Sequence, residues 1–262
     1  MQSVKNINEL GTFLRRVGNA AKSSLLLDYD GTLAPFCTDR SRAYPYPGVI
    51  SVLENIARSG KTKVVVVSGR PIAQLQVLLA PMNDLEMWGS HGLEHQSSEQ
   101  GYRHTPIIES VASVLQAAVD WAAIHNMASR IEVKPGGVAL HWRGLSQTDA
   151  VAVEAAVKEG WRPLGEELDL KLLEFEMGLE LRIAHPDKGD AVRAVLESVD
   201  PRMPLAFLGD DRTDEDAFRA LKGHGLTVLV KADYRETAAD AWIRPPQELL
   251  DFLDQWLLEI SE

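Results

Sequence analysis

The chain is poor in cysteine and in positive charge. It has one cysteine, Cys37, in 262 residues. No disulfide can form within it, which fits a reducing, cytoplasmic setting. Lys and Arg number 27 against 38 Asp and Glu, a formal net charge of −11. Nucleic acids and anionic membranes are bound through basic surfaces, so neither is an expected partner. A phosphorylated small molecule stays open, because a few local cations and a metal outweigh the global charge. Long apolar runs are also missing. The longest are strand-sized, so no segment is expected to span a bilayer. The first 24 residues, MQSVKNINELGTFLRRVGNAAKSS, have no apolar core of signal-peptide length and read as a short amphipathic helix. The seven histidines show no zinc-ligand spacing. Internal repeats and low-complexity segments are lacking, and a cytoplasmic monomer is the expectation.

What the chain does have is an alternation of strand and helix signals at both ends. SLLLD reads as a buried strand, PGVISVLENIARSG as a helix stopped at Gly60, and KTKVVVVSG as a strand covered on both faces. PIAQLQVLLAP reads as a helix opened by proline, and LEMWGSHGLEH as a short strand and a glycine turn. The same order returns in KGDAVRAVLESV, PLAFLGDD, TDEDAFRALKGHG and LTVLVK, with PPQELLDFLDQWLLEI as a closing helix. Such alternation predicts an α/β fold with a parallel sheet.

The middle breaks this pattern. Residues ~105 to ~183 predict helix, hairpin, helix, hairpin. In RIEVKPGGVALHWRG, Ile131, Val133, Val138, Leu140 and Trp142 share one face, and Glu132, Lys134, Ala139, His141 and Arg143 the other. In LLEFEMGLELRI, simple alternation puts Phe175, Met177, Leu179, Leu181 and Ile183 together, opposite Glu174, Glu176, Glu180 and Arg182. The expectation is a discontinuous core domain, 1–103 and 184–262, with an α+β module inserted at 104–183. The module's charged face is expected to turn outward, over a ligand site at the carboxyl ends of the parallel strands.

Four strand ends carry chemistry. In LLLDYDGTLAPF, Asp28 and Asp30 are two apart and point the same way from an extended chain. Crowded carboxylates suit a hard cation and a nucleophile. An isolated D-x-D-G is also an ordinary turn, but the full string of strand then D-x-D-G-T-L favours chemistry. VVVVSGR ends in Ser68, Gly69 and Arg70, a hydroxyl and backbone N–H groups able to hold a phosphoryl oxygen, or a plain tight turn. Lys188 opens a helix in HPDKGDAV, against the helix dipole. It is either a cation joining phosphate to nucleophile or an exposed lysine. In AFLGDDRTDEDAF, Asp210, Asp211, Asp214 and Asp216 would repel one another without a cation. Glu215 and Asp216 suit a first helical turn and need no further role.

Taken in order, acid pair, hydroxyl, lysine and acid cluster resemble the haloacid dehalogenase-type (HAD) phosphatases over essentially the whole chain. G-D-D-x-T-D-E, GSHGLEH, IEVKPGGVALHWR and ELRIAHPDKG narrow the resemblance to the trehalose-6-phosphate phosphatases. The chain departs from their pattern at Ile183, usually proline, and at Asp187, usually asparagine. The resemblance implies a HAD-like Rossmannoid core with an inserted C2B-type cap, αββαββ. It implies a Mg2+-dependent sugar phosphatase in which Asp28 is the nucleophile and Asp30 the general acid and base. Asp28, Asp30 (through its carbonyl), Asp210 and Asp214 would hold the metal. Thr32, Ser68, Gly69, Arg70 and Lys188 would hold the phosphoryl group. Glu132, Lys134, Glu180 and Arg182, with His91 and Glu94, would contact the sugar. Related sugar phosphatases, a non-catalytic sugar-phosphate sensor and a phosphotransferase are the competing readings.

Overall fold

The computed structural model describes residues 7–261 apart from Thr38, Asn83, Glu167, Asp169 and Glu176. Two compact units are present. One joins Met1–Arg103 to Asp187–Glu262, and the other is His104–Pro186. In chain order the first supplies α1 (Ile7–Gly18), β1 (Ser23–Leu27), α2 (Val49–Arg58), β2 (Thr62–Val67), α3 (Ile72–Leu78), β3 (Glu86–Gly89), β4 (Glu94–Ser97) and β5 (Gly101–His104). Then come α4 (Glu109–Ile124), β6 (Ile131–Lys134), β7 (Gly137–His141), α5 (Gln147–Glu166), β8 (Leu170–Phe175) and β9 (Gly178–Ile183). The first unit resumes with α6 (Lys188–Ser198), β10 (Leu205–Gly209), α7 (Glu215–Leu221), β11 (Leu226–Val230), β12 (Ala241–Ile243) and α8 (Gln247–Ser261).

Eight strands of the first unit form one sheet in the order β12-β11-β10-β1-β2-β3-β4-β5. Pairing is parallel from β12 through β3, and β4 runs antiparallel to β3. The central strands are continuously apolar because both faces are covered. Leu25, Leu27 and Tyr29 pack into one cluster with residues of α1, α2, α3 and α8. Leu26 points into the other cluster, with Ala191, Val192 and Val195 of α6 and Phe218 and Leu221 of α7. Helix α2 shows the sequence logic: Val49, Val52, Leu53 and Ile56 recur at helical spacing and are the buried ones.

The chain leaves β1 for β2 on one side and reaches β10 on the other. Such a reversal, here between β1 and β10, marks the carboxyl strand ends where α/β sheets bind ligands. Strands β4, β5 and β12 are not foreseen in the sequence. β5 is exposed throughout, and β12 is apolar but only three residues long, too short to read as a strand.

The second unit is a four-stranded antiparallel sheet, β6-β7-β9-β8, with helices α4 and α5. Chain order in it is αββαββ. One expectation is corrected here. β8 and β9 form a hairpin, with Met177 at φ +61° directly before β9, so a single alternation does not run through it. Register pairs Glu174 with Leu179, Leu173 with Glu180 and Lys171 with Arg182. Opposed residues share a face. Phe175 therefore lies on the Glu180 and Arg182 face, and Glu174 on the apolar face. Phe175 meets His141 edge-on there, with ring centroids 5.2 Å apart. Glu174 reaches the edge of its face and pairs with Lys158 of α5 at 2.7 Å. Glu176 lies outside the described residues. Helix α5 carries Pro163 inside it.

Candidate active site

The site is built in the first unit, at the carboxyl ends of β1, β2 and β10 and the start of α6. Asp28 directly follows β1. Its N–H donates to the Leu208 carbonyl at 2.9 Å, which keeps the strand straight to the last residue. The next residue points the other way: Tyr29 is fully buried in the core and its hydroxyl donates to the Ala43 carbonyl at 2.7 Å. Gly31 then turns at φ +82°, and a Cβ there would lie 2.3 Å from Asp210 Oδ2. A side chain at this position is excluded both by backbone strain and by the acid loop.

Lys188 is the first residue of α6 and is buried. Its ammonium lies 2.6 Å from Asp28 Oδ1 and 2.7 Å from Asp214 Oδ1. Burial works against its charge, yet Asp214 and Asp28 together hold its pKa above the ordinary lysine value. Helix α6 tolerates a cation at its N-terminus because Asp187 and Asp190 cap it. The Asp190 N–H donates to Asp187 Oδ1 at 3.0 Å, and the Asp187 N–H to Asp190 Oδ2 at 2.8 Å. Aspartate does this as well as asparagine, which accounts for Asp187 locally.

Burial pushes the Asp28 carboxyl up to about 7; Lys188 opposes the rise, and Asp214 and Asp30 add to it. Asp210 is raised well above the ordinary carboxyl range, first by burial and then by Asp28 and Asp214. Asp210 Oδ1 is buried with no hydrogen-bond partner among the described residues. Asp214 is differently employed: Oδ2 accepts the N–H groups of Asp210 and Asp211, each at 3.0 Å, and so shapes the acid loop. Oxygens of Asp28, Asp210 and Asp214 lie within 4.8 Å of one another. Crowded buried carboxylates with one orphaned oxygen fit a hard divalent cation. They are otherwise costly.

Asp30 is not among the carboxylates of this cluster. Both of its oxygens accept from Arg70, from Nε and from Nη2, each at 2.6 Å. Arg70 was expected among the phosphoryl-binding residues; its guanidinium lies on Asp30. Thr32 is buried, with Oγ1 3.4 Å from Asp28 Oδ2. Ser68 is buried at the end of β2, and its Oγ accepts the Arg70 N–H at 3.2 Å.

His91 and Glu94 follow β3. Ser90 and His91 both have positive φ, 49° and 60°. Such strain persists only where the surroundings fix it. The Ser90 N–H donates to the Arg70 carbonyl at 2.9 Å and the His91 N–H to the Ser68 carbonyl at 3.0 Å. Glu94 Oε2 accepts from the Ser90 hydroxyl at 2.5 Å, and Oε1 from the Tyr102 hydroxyl at 2.9 Å. Glu94 thus anchors the loop, and the loop sets the His91 ring against Gly69.

Three neighbours of the cluster escape a sequence reading. Lys231 Nζ is 3.5 Å from Asp210 Oδ2. Arg235 donates from Nε to the Asp210 carbonyl at 3.2 Å and from Nη2 to the Asp211 carbonyl at 2.7 Å, and pairs with Glu215. Glu215 also accepts from the Thr237 hydroxyl and the Ala238 N–H, each at 2.8 Å, so it has a role beyond a first helical turn. Lys231 directly follows β11, and Arg235 lies four residues on in a stretch with no motif or periodicity.

The second unit carries the remaining expected residues, and its own contacts are these. Lys134 pairs with Glu180 at 3.1 Å, with side chains 7% and 5% exposed, so this part of the charged face is withdrawn from solvent. Glu132 meets His141 at 2.9 Å. Arg182 Nη1 approaches the Ile183 and Pro186 carbonyls at 3.4 Å.

Solved structures share this architecture. The C-terminal domain of a trehalose-6-phosphate phosphatase from C. albicans superposes with a TM-score of 0.81 over 98% of this chain and 99% of that one, at 19% identity. A haloacid dehalogenase-like hydrolase from B. subtilis gives 0.62 over 88% and 99%, at 16% identity. The fold is therefore that of the haloacid dehalogenase-like hydrolases. Residues 26–241 match the trehalose-phosphatase family model. A probable trehalose-phosphate phosphatase H of Arabidopsis thaliana is 30% identical, over 88% of this chain and 70% of its own length. The trehalose-phosphate phosphatase of Mycobacterium ulcerans is 26% identical over 98% and 68%. The chain belongs to the trehalose-phosphatase family.

Proposed function

We propose that the protein hydrolyses trehalose 6-phosphate to trehalose and phosphate, by way of a phosphoryl group carried on Asp28. The observation that carries this is the buried Asp28 carboxylate held at 2.6 Å by Lys188, in a chain of this family. In the first step an Asp28 oxygen bonds to phosphorus, the bond from phosphorus to the sugar oxygen breaks, and Asp30 gives that oxygen a proton. In the second, Asp30 takes a proton from water, water oxygen bonds to phosphorus, and Asp28 is released.

Attack by a carboxylate on a phosphate brings two anions together, so charge neutralisation and positioning make up most of the catalysis. Lys188 supplies one cation. Thr32, Ser68 and the backbone N–H of Gly69 supply hydrogen bonds to the phosphoryl oxygens. Mg2+ is the cation proposed for Asp28, Asp210, Asp214 and the Asp30 carbonyl; bound there, it keeps the carboxylates ionised and offsets phosphoryl charge. Lys231 lies beside the same cluster and adds positive charge. In the second unit, Glu132, Lys134, Glu180 and Arg182 form a polar set of the kind that binds sugar hydroxyls.

Phosphate release is the test. Trehalose 6-phosphate is compared with glucosylglycerol phosphate, glucosylglycerate phosphate and glucose 6-phosphate in Mg2+ buffer. Preference for trehalose 6-phosphate is expected. Equal turnover of all four would sink the assignment. EDTA should abolish release and Mg2+ restore it.

A further inference from the structure

Arg70 is 1% exposed. Its guanidinium makes a two-pronged contact with Asp30, Nε to Oδ2 and Nη2 to Oδ1, each at 2.6 Å. The third arm, Nη1, donates to the Arg40 carbonyl at 2.8 Å. The guanidinium carbon stands 5.3 Å from the centre of the Tyr29 ring, and that ring is itself tied down through its hydroxyl. The backbone is fixed as well. The Arg70 N–H donates to Ser68 Oγ, and the Arg70 carbonyl accepts from the Ser90 N–H. Every part of the side chain is held by contacts within the protein. Asp30, by contrast, is about a quarter exposed at the mouth of the site, its side chain 24% accessible. A short side chain in that setting has several rotamers open to it unless something selects one.

We propose that Arg70 is the positioning residue for Asp30. The planar fork selects one carboxyl orientation and ties it to the loop that carries Ser68. The proton donor and the phosphoryl-binding hydroxyl are thereby built on one rigid piece. Arg70 acts through Asp30 and does not grip phosphate. This inference rests on reading Asp30 as the acid and base.

Leaving-group chemistry separates the two roles. A sugar oxygen departs as a poor leaving group and needs the proton from Asp30. 4-Nitrophenolate departs without one. A misplaced acid therefore slows the sugar phosphate selectively, whereas a lost phosphate contact slows both substrates alike. Lysine keeps the charge of arginine but not two parallel N–H bonds, so Arg70→Lys removes the fork alone.

The experiment measures kcat/KM for the best sugar phosphate of the panel and for 4-nitrophenyl phosphate, in wild type, Arg70→Lys, Asp30→Asn and Asp30→Glu. Asp30→Asn should lose about 100-fold or more on the sugar phosphate beyond its loss on the aryl ester, the scale of general acid catalysis. Arg70→Lys should show the same preference, with an excess loss of about tenfold or more. If Arg70→Lys slows both substrates equally, the proposal is overturned and Arg70 binds phosphate. If Arg70→Lys does not fold, Asp30→Glu decides, because it leaves Arg70 intact and moves the carboxyl off the fork by one methylene. A selective loss in Asp30→Glu supports positioning, and a wild-type ratio of the two substrates overturns it. No selectivity in Asp30→Asn would show that the acid–base reading itself is wrong, and would be distinct from failure of Arg70→Lys alone.

Discussion

Lys188 and Asp28 stand 160 residues apart in the chain and 2.6 Å apart in the protein interior. The lysine also holds Asp214, so one cation joins the two ends of the core around the nucleophile.

Lys188→Met should leave Asp28 and Asp214 facing each other without their shared cation. Phosphate release is expected to fall by at least about 100-fold, as when a transition-state donor is removed. Thermal unfolding should show a loss of about 3–5 kcal/mol, the cost of stranding a buried charge. A variant with wild-type turnover would remove Lys188 from the mechanism.

Asp28→Asn should abolish turnover and raise the melting temperature of EDTA-treated protein. Burial lifts the folded-state carboxyl to about 7, far above an unfolded aspartate. A carboxyl raised in this way destabilises the fold progressively as pH climbs from the unfolded value through the folded one. The advantage of asparagine is therefore full above about pH 7 and gone below about pH 4. Melting curves of both proteins across that window check the sign. Measurable phosphatase activity in Asp28→Asn would end the covalent reading.

Much of this site is legible in the sequence because the chemistry sits at strand ends. A buried strand that stops in Asp28 and Asp30, or in Asp210 and Asp211, contradicts its own apolar pattern. Lys188 contradicts the dipole of the helix that it opens. Conflicts of this kind mark function. Arg70 is visible as a residue but not in its role, since the sequence does not say that its partner is Asp30. Lys231 closes the strand string LTVLVK but carries no motif that ties it to the acids, and Arg235 is invisible, because a loop brings it back to the acid cluster without periodicity. The face of Phe175 is misassigned by alternation alone, since the hairpin register pairs it with Gly178 and resets the parity.

Glu215→Gln should loosen the acid loop from the side. The Glu215 carboxylate is depressed below its ordinary value: burial works to raise it, and the bonds from Ala238, Arg235 and Thr237 outweigh burial. Its stabilisation is present above the unfolded value and is lost as pH falls through the folded one. A loss of about 1.5–3 kcal/mol is expected at pH 7, the scale of hydrogen bonds to a charged group. It should shrink toward zero in acid, below the ordinary range of glutamate. Denaturant unfolding at pH 7 and in acid measures the difference, and a pH-independent loss would refute it.

Gly69→Ala should act through His91. A Cβ at position 69 would stand 2.6 Å from His91 Cε1 and Nε2, so the ring must move. Lower kcat/KM is expected, with part of the loss absent when His91→Ala is made first. A double-mutant cycle should give a coupling of about 0.5–3 kcal/mol, the range for residues in contact. Strict additivity would show that the two act independently.

The position of β1 also governs how the protein comes off the ribosome. Its two neighbours are β2, made soon after it, and β10, made only once the entire inserted module has been synthesised. Until then one edge of β1 has no partner, and the Leu26 face lacks the helices that cover it. Nascent and truncated chains thus expose a strand edge and apolar surface, the features that recruit chaperones or cause aggregation. They are also chemically inert, since a chain halted before Lys188 holds the nucleophile without the charges that let it attack.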